Sequence, residues 1–184
     1  TDGLWLFGQN AHEAFRTGNL GELHEAVIMD DGDKPYLYTR SKNQLIRVAQ
    51  IDVIFPVLHG TFGEDGTVQG LFEMHNCAYV GAGVLASSVA MDKAVCKHVM
   101  QSFGIPVLEY AVYSRRDINS DLARTIESAE KVAPYPLFVK PANLGSSVGI
   151  SKARNRQELE KALKLAARFD RRVLVERGIS PREI

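Results

Sequence analysis

Phe138-Val139-Lys140-Pro141-Ala142-Asn143-Leu144-Gly145-Ser146-Ser147-Val148-Gly149-Ile150 reads as a strand that delivers a lysine, stops at a proline and opens into a loop of small residues. A second strand follows over residues 148–152. Alternate residues of a strand share a face, so Phe138 and Lys140 point the same way, an aromatic beside a cation. The plain alternative is a core phenylalanine with a strand-end lysine in water. Gly145 and Gly149 flank Ser146 and Ser147. Glycines let backbone N–H groups approach phosphate oxygens closely, hydroxyls add donors, and Lys140 adds a point charge. Neither G-x-x-x-x-G-K-[ST] nor a post-strand G-x-G-x-x-G occurs, so this is neither a P-loop nor a dinucleotide fingerprint. A Ser/Gly turn alone is common. The lysine before it and an acidic strand end after it, Glu176, sharpen it into a phosphate-holding hairpin.

Working outward, residues 107–176 read β-α-β-β-α-β. A strand over 107–113 leads to a helix over 117–132, with Leu122, Ile126 and Ala129 or Ala133 inward. Pro134 and Pro136 break it before the strand 137–140. The segment 155–169 is an amphipathic helix with Leu159, Leu163, Ala166 and Ala167 inward, and 173–175 is a buried strand ending at Glu176. Upstream, one long helix is expected over 87–103, with an apolar stripe of Leu85, Val89, Cys96, Met100 and Phe103 and a stop at Gly104 and Pro106. Lys93 borders that stripe, where a lysine either snorkels or serves a site.

Residues 51–58 form a nearly continuous apolar run, the pattern of a strand in a parallel sheet covered on both faces. The run enters His59-Gly60-Thr61-Phe62-Gly63-Glu64-Asp65-Gly66, a loop where α/β folds place ligands. A helix over 67–75 and a strand over 77–80 complete a βαβ unit within 51–83. A loop histidine such as His59 is often only solvated; its place after a buried strand favours a ligand-facing role. Glu64 and Asp65 read as acidic groups at a helix N-terminus rather than catalysts. Residues 4–7, 26–29 and 36–38 read as short strands, the last two around the turn 30–35, with no chemistry beyond structure. A boundary is placed near residues 82–92.

The 184 residues suffice for one domain or two small ones. Lys plus Arg and Asp plus Glu number 22 each and are interspersed, so no basic patch suggests nucleic-acid binding. No apolar run approaches the roughly 20 residues of a membrane span, and residues 1–3 lack signal-peptide architecture. Cys77 and Cys96 read as reduced thiols of a cytoplasmic protein. His12-Glu13 and His24-Glu25 lack a second histidine four residues after the first, which excludes a metalloprotease helix. The chain starts without Met and ends at Ile184 with no closing element, so it is expected to be incomplete. A nucleotide would also need apolar walls and hydrogen-bonding edges; Phe138 and Ile179 suit the walls, backbone at 176–179 the base edge, and Glu183 the ribose.

His59-Gly60 and Gly63-Glu64-Asp65-Gly66-Thr67-Val68-Gln69-Gly70 come first, then Ala90-Met91-Asp92-Lys93, then Phe138-Val139-Lys140-Pro141 with Gly145-Ser146-Ser147-Val148-Gly149, and finally Leu174-Val175-Glu176. In that order the motifs resemble the D-alanine–D-alanine ligase family of the ATP-grasp superfamily, from about residue 51 to the end. The resemblance implies an α/β (α+β ATP-grasp) fold. It places part of a Rossmann-like pre-ATP-grasp domain at 1–83, the central ATP-binding subdomain at 84–179, and the start of an otherwise absent C-terminal subdomain at 180–184. It implies that Lys93 and Lys140 grip ATP phosphates, Ser146 orients the first D-alanine and its hydrogen-bond network, and Ser147 belongs to the phosphate loop. Glu176, Arg177 and Ile179 match the adenine hinge, Glu183 the ribose-binding glutamate, and His59 the histidine near the first D-alanine.

The implied reaction phosphorylates one D-alanine with ATP, and the amine of a second D-alanine attacks the acyl phosphate, for peptidoglycan precursor synthesis. ATP, Mg²⁺ and a cytoplasmic homodimer are expected. The family's metal ligands and oxyanion arginine would follow Ile184, and an early substrate-binding glutamate would precede Thr1. A D-alanine–D-lactate ligase and a non-catalytic nucleotide-binding ATP-grasp module are the alternatives. Thr61-Phe62-Gly63 and the run 81–88 look more like the dipeptide enzyme.

Overall fold

A computed structural model describes residues 4–145 and 148–180, so Ser146, Ser147 and Glu183 lie outside the described residues. The chain divides into two compact units, one of Thr1–Val57 with Val68–Gly81, the other of Leu58–Thr67 with Ala82–Ile184.

In the first unit, β1 (Trp5–Phe7), β2 (His24–Asp30), β3 (Pro35–Ser41) and β4 (Gln44–Gln50) form an antiparallel sheet in chain order, with α1 (Ala11–Thr17) between the first two strands. The three expected strands are present. Helix α1 and strand β4 were not anticipated: every residue of β4 is exposed, so it shows no buried-and-polar alternation to read. The expected parallel strand pair is corrected. Residues 51–58 and 77–80 share one parallel bridge, Ile54 with Tyr79, held by Ile54 N–H to Ala78 O at 2.8 Å and Val80 N–H to Ile54 O at 2.9 Å. Pro56 has no N–H to extend a ladder, and Val53, Phe55 and Val57 are exposed rather than covered. Helix α2 (Thr67–Met74) forms where expected. Its Val68 and Phe72 bury against Cys77, with Ile28, Ile54 and Tyr79 at the margin and the Trp5 ring edge-on to Phe72.

The second unit holds α3 (Val84–Met91), α4 (Lys93–Ser102), β5 (Tyr110–Ser114), α5 (Arg115–Ser120), α6 (Leu122–Ala129), β6 (Leu137–Pro141), β7 (Ser151–Ala153), α7 (Arg156–Phe169) and β8 (Arg172–Arg177). The sheet runs β5-β8-β6-β7, with every neighbour antiparallel. The expected β-α-β-β-α-β order is present, with two corrections. The helix read over 87–103 is two helices, because Asp92 is extended (ψ 102°) and caps the second. The helix read over 117–132 is likewise split at Asp121, whose carboxylate accepts from Arg124 N–H at 3.0 Å. Aspartate fits either break by satisfying the free N–H groups of the next helix.

One face of this sheet carries the core. Leu137 and Val139 of β6 and Val173 and Val175 of β8 are fully buried against Leu159, Leu163 and Ala166 of α7 and Ile126 and Ala129 of α6. Asn155 caps α7, accepting from Glu158 N–H at 2.9 Å, while Glu158 in the first turn and Arg168 in the last match the helix dipole. No helix of the described residues is long and apolar enough to cross a membrane. Leu163→Ala should lower unfolding free energy by about 2–5 kcal/mol in urea titrations. Leu45→Ala, on the exposed edge strand, should change it by less than about 0.5 kcal/mol.

Candidate functional site

The opposite face of the second sheet is built differently. Phe138 pairs in register with Glu176, and Lys140 with Leu174, so four side chains of β6 and β8 share this face. Helix α4 covers it, with Ala94 packed on Leu174 and Ala142 beside Tyr110 and Val112. The residues of α4 that meet the sheet are Ala94, Lys97, His98 and Gln101. This corrects the expected stripe: Leu85 and Phe103 are 77% and 79% exposed, and Met100 is also exposed. The stripe failed because the inward face of α4 is largely polar, and the break at Asp92 ends the continuous helix on which the spacing was counted.

Glu176 is the centre of this face. It is 6% exposed and accepts two ammonium groups, Lys97 on Oε2 at 2.9 Å and Lys140 on Oε1. Burial pushes its carboxyl pKa up, but the bonds from Lys140 and Lys97 outweigh that and hold it below the ordinary glutamate value. The Lys140 ammonium also lies 5.7 Å from the Phe138 ring centroid, and Lys152 approaches the same ring at 5.8 Å. The expected pairing of an aromatic with a cation on one strand face is therefore present. Lys97 was missed in the sequence. The available signal was its i+4 spacing from Lys93, which places both lysines on one side of a helix.

Lys93 grips the loop after β6 twice. Its backbone N–H donates to Ala142 O at 2.8 Å and its Nζ to Leu144 O at 2.5 Å. Burial, and then repulsion from Lys140, push its ammonium pKa below the ordinary lysine value. Lys93 thus faces the loop rather than snorkelling to water. Asp92, one residue earlier, caps α4 through Ala94 and Val95 N–H, both at 3.1 Å, and pairs with Arg172. The loop is fixed from the far side as well: Asn143 N–H donates to Asp170 Oδ2 at 2.6 Å and Ala142 N–H to Arg172 O at 3.0 Å.

Gly145 is closely approached by the loop that carries His59. A Cβ there would lie 3.2 Å from Gly60 Cα and 3.8 Å from Glu64 Oε2. The loop bearing His59 is thus packed beside the hairpin loop, with His59 itself exposed. Glu64 does not reach a helix: its Oε2 accepts from Gly60 N–H at 2.5 Å, while Asp65 accepts from Thr67 N–H at 3.0 Å at the start of α2. Gly149 has φ +72°, and a Cβ there would fall 2.7 Å from the Phe169 ring, so the loop's second glycine is required twice over. Arg177 is exposed, pairs with Glu109 at 3.2 Å and spends its N–H on Glu109 O; Ile179 is half exposed.

On this face two lysines meet one buried acid, and a third, Lys93, holds the loop that follows β6. The chain matches a family model described as "D-ala D-ala ligase N-terminus" over residues 1–82 and one described as "D-ala D-ala ligase C-terminus" over 99–184. It is similar to a D-alanine–D-alanine ligase of Acetivibrio thermocellus, 52% identical over 198 aligned positions covering 100% of this chain and 52% of the relative. A solved D-alanine–D-alanine ligase from Coxiella burnetii superimposes with a TM-score of 0.76 at 35% identity, covering 96% of this chain and 49% of that one. The VanG D-Ala:D-Ser ligase from Enterococcus faecalis superimposes with a TM-score of 0.75 at 31% identity, covering 96% and 50%. The chain spans about half the length of the relatives it matches over its whole extent.

The buried acid should be visible in acid unfolding. A lowered folded pKa means that the Glu176 contribution is complete above its unfolded value of about 4.3 and is lost as pH falls through the folded value. Urea midpoints followed from neutral pH to about pH 3 should drop less steeply for Glu176→Gln. Identical slopes for the two proteins would remove Glu176 from the account.

Proposed function

The chain belongs to the D-alanine–D-alanine ligase family, and from that premise we propose that it carries the nucleotide-gripping part of an enzyme that joins two D-alanines at the expense of ATP. The observation that carries this reading is the pairing of Lys140 with the buried Glu176 on one face of the sheet, with Lys93 bound to the loop that follows β6. Residues 1–83 would belong to the N-terminal substrate-binding domain, 84–179 to the central ATP-binding subdomain, and 180–184 to the start of a C-terminal subdomain.

A carboxylate is a poor acyl donor. In the proposed reaction an oxygen of the first D-alanine's carboxylate attacks the γ-phosphorus of ATP, and ADP leaves. The amine of the second D-alanine then attacks the acyl carbon, and inorganic phosphate departs with its bonding pair. Negative charge on the transferring group must be met by fixed cations, the task assigned to Lys93 and Lys140. Lys93 reaches it by giving up Leu144 O, and Lys140 by giving up Glu176. Phe138 and Ile179 would wall the adenine, with Glu176 and Arg177 at its edge and Glu183 on the ribose. Ser146 would orient the first D-alanine and its hydrogen-bond network, Ser147 would complete the phosphate loop, and His59 would stand near that substrate. A closed loop would keep water from the acyl phosphate. Among the described residues no three His, Cys, Asp or Glu side chains gather to hold a metal. The product would supply peptidoglycan precursors in the cytoplasm, and the enzyme would act as a homodimer.

Product analysis on the full-length protein tests the reading. Phosphate release from ATP should require D-alanine and yield D-alanyl-D-alanine; ATP binding with no D-alanine-dependent turnover would reject it. Lys140→Ala should weaken ATP binding about ten- to a hundredfold with the circular dichroism unchanged. Ser146→Ala should lower kcat with little effect on the KM for ATP. Unaltered affinity in Lys140→Ala would refute the phosphate-grip role.

A further inference from the structure

We infer that Lys97 is a standing counter-ion for Glu176, which allows Lys140 to leave that buried carboxylate for the phosphates of a nucleotide. The identity of the anion rests on the ligase reading above. Three observations carry the rest. The two lysines take different oxygens of Glu176, so one can depart without breaking the bond of the other. The side chain of Lys97 is 16% exposed and that of Lys140 24%, so the better covered lysine is the one that stays. Lys97 is also the more firmly seated. Its helix is tied down before it by Lys93 N–H on Ala142 O and after it by Gln101, which accepts from Tyr110 Oη at 2.8 Å. Lys140 sits one residue from the end of β6, where the loop begins.

Without Lys97 the exchange would be penalised. Glu176 is too buried for water to replace a departing ammonium, and a buried carboxylate stripped of its partner is driven to take up a proton. The groups facing Glu176 are Lys97 and, farther off, Lys93 from α4, and Lys140 from β6; Tyr110 opposes it from β5 with Lys97 5.1 Å from its ring centroid and His98 edge-on. Among the described residues no other acid is ion-paired with either lysine. Lys97 is thus a positioning residue: it touches no phosphate, and it makes the phosphate-binding position of Lys140 accessible.

The test is calorimetric titration of the full-length protein with the non-hydrolysable analogue AMP-PNP, in buffers of different ionisation enthalpy, between about pH 6 and 8. The unchanged protein should bind without proton uptake at Glu176. Lys97→Met should bind at least about tenfold more weakly at the upper pH, take up as much as about one proton per nucleotide, and recover affinity as pH falls. Lys97→Arg should restore affinity and abolish the uptake. Equal affinity and equal proton balance in Lys97→Met would overturn the inference while leaving the ligase reading standing. So would a loss that is the same at every pH without proton uptake, since that marks a packing role alone. If the unchanged protein binds no AMP-PNP, the ligase reading itself falls, and this inference with it.

Discussion

A carboxylate buried between two ammonium groups organises the second unit of this protein. Taking Glu176 out of water costs several kcal/mol, and only well-placed cations offset it. Lys140 comes from the neighbouring strand, which requires the register that sets Phe138 opposite Glu176. Lys97 comes from a helix far away in sequence, which must therefore lie across the sheet. The dry contact of Ala94 with Leu174 lets the helix lie close enough for that. Packing and charge impose the same placement. A larger residue at position 94 would lift the helix and lengthen the ion pair.

Asp170 plays the complementary part at the other end of β8. One carboxylate oxygen accepts from Asn143 N–H and the other from Arg172 N–H at 3.1 Å, and its carbonyl accepts from Arg115 Nε at 3.2 Å. The loop after β6 is therefore held from outside by an acid and from inside by the ammonium of Lys93. The backbone groups of Ala142, Asn143 and Leu144 are thus met by α4 and by the residues that open β8.

How much of this was legible in the sequence varied with how each residue is stabilised. The helix α7 and the strands β6 and β8 were readable because Leu159, Leu163, Val139 and Val175 are buried on one side, which makes apolar periodicity a faithful record of facing. Lys140 followed from the same alternation. Lys97 escaped because its partner is an acid more than seventy positions away and its helix turns a polar face inward, so counting apolar residues pointed elsewhere. Asp92 and Asp121 looked compatible with continuous helices, and only their capping bonds reveal the breaks. The run at 51–58 shows the limit of hydrophobicity: an apolar segment does not say whether a neighbouring strand lies beside it, and among the described residues it forms one bridge, Ile54 with Tyr79. Roles for Ser146, Ser147 and Glu183 rest on the pattern of the hairpin loop and on the family motifs, and these three residues lie outside the described structure.

Helix α4 has a metric consequence. Lys93 and Lys97 are about one turn apart, so the backbone positions from which the two lysines reach the loop and the buried acid are separated by about 6 Å of helical rise. That interval is set by the pitch of the backbone and holds whichever partner either ammonium takes. The helix serves as a ruler laid along the site.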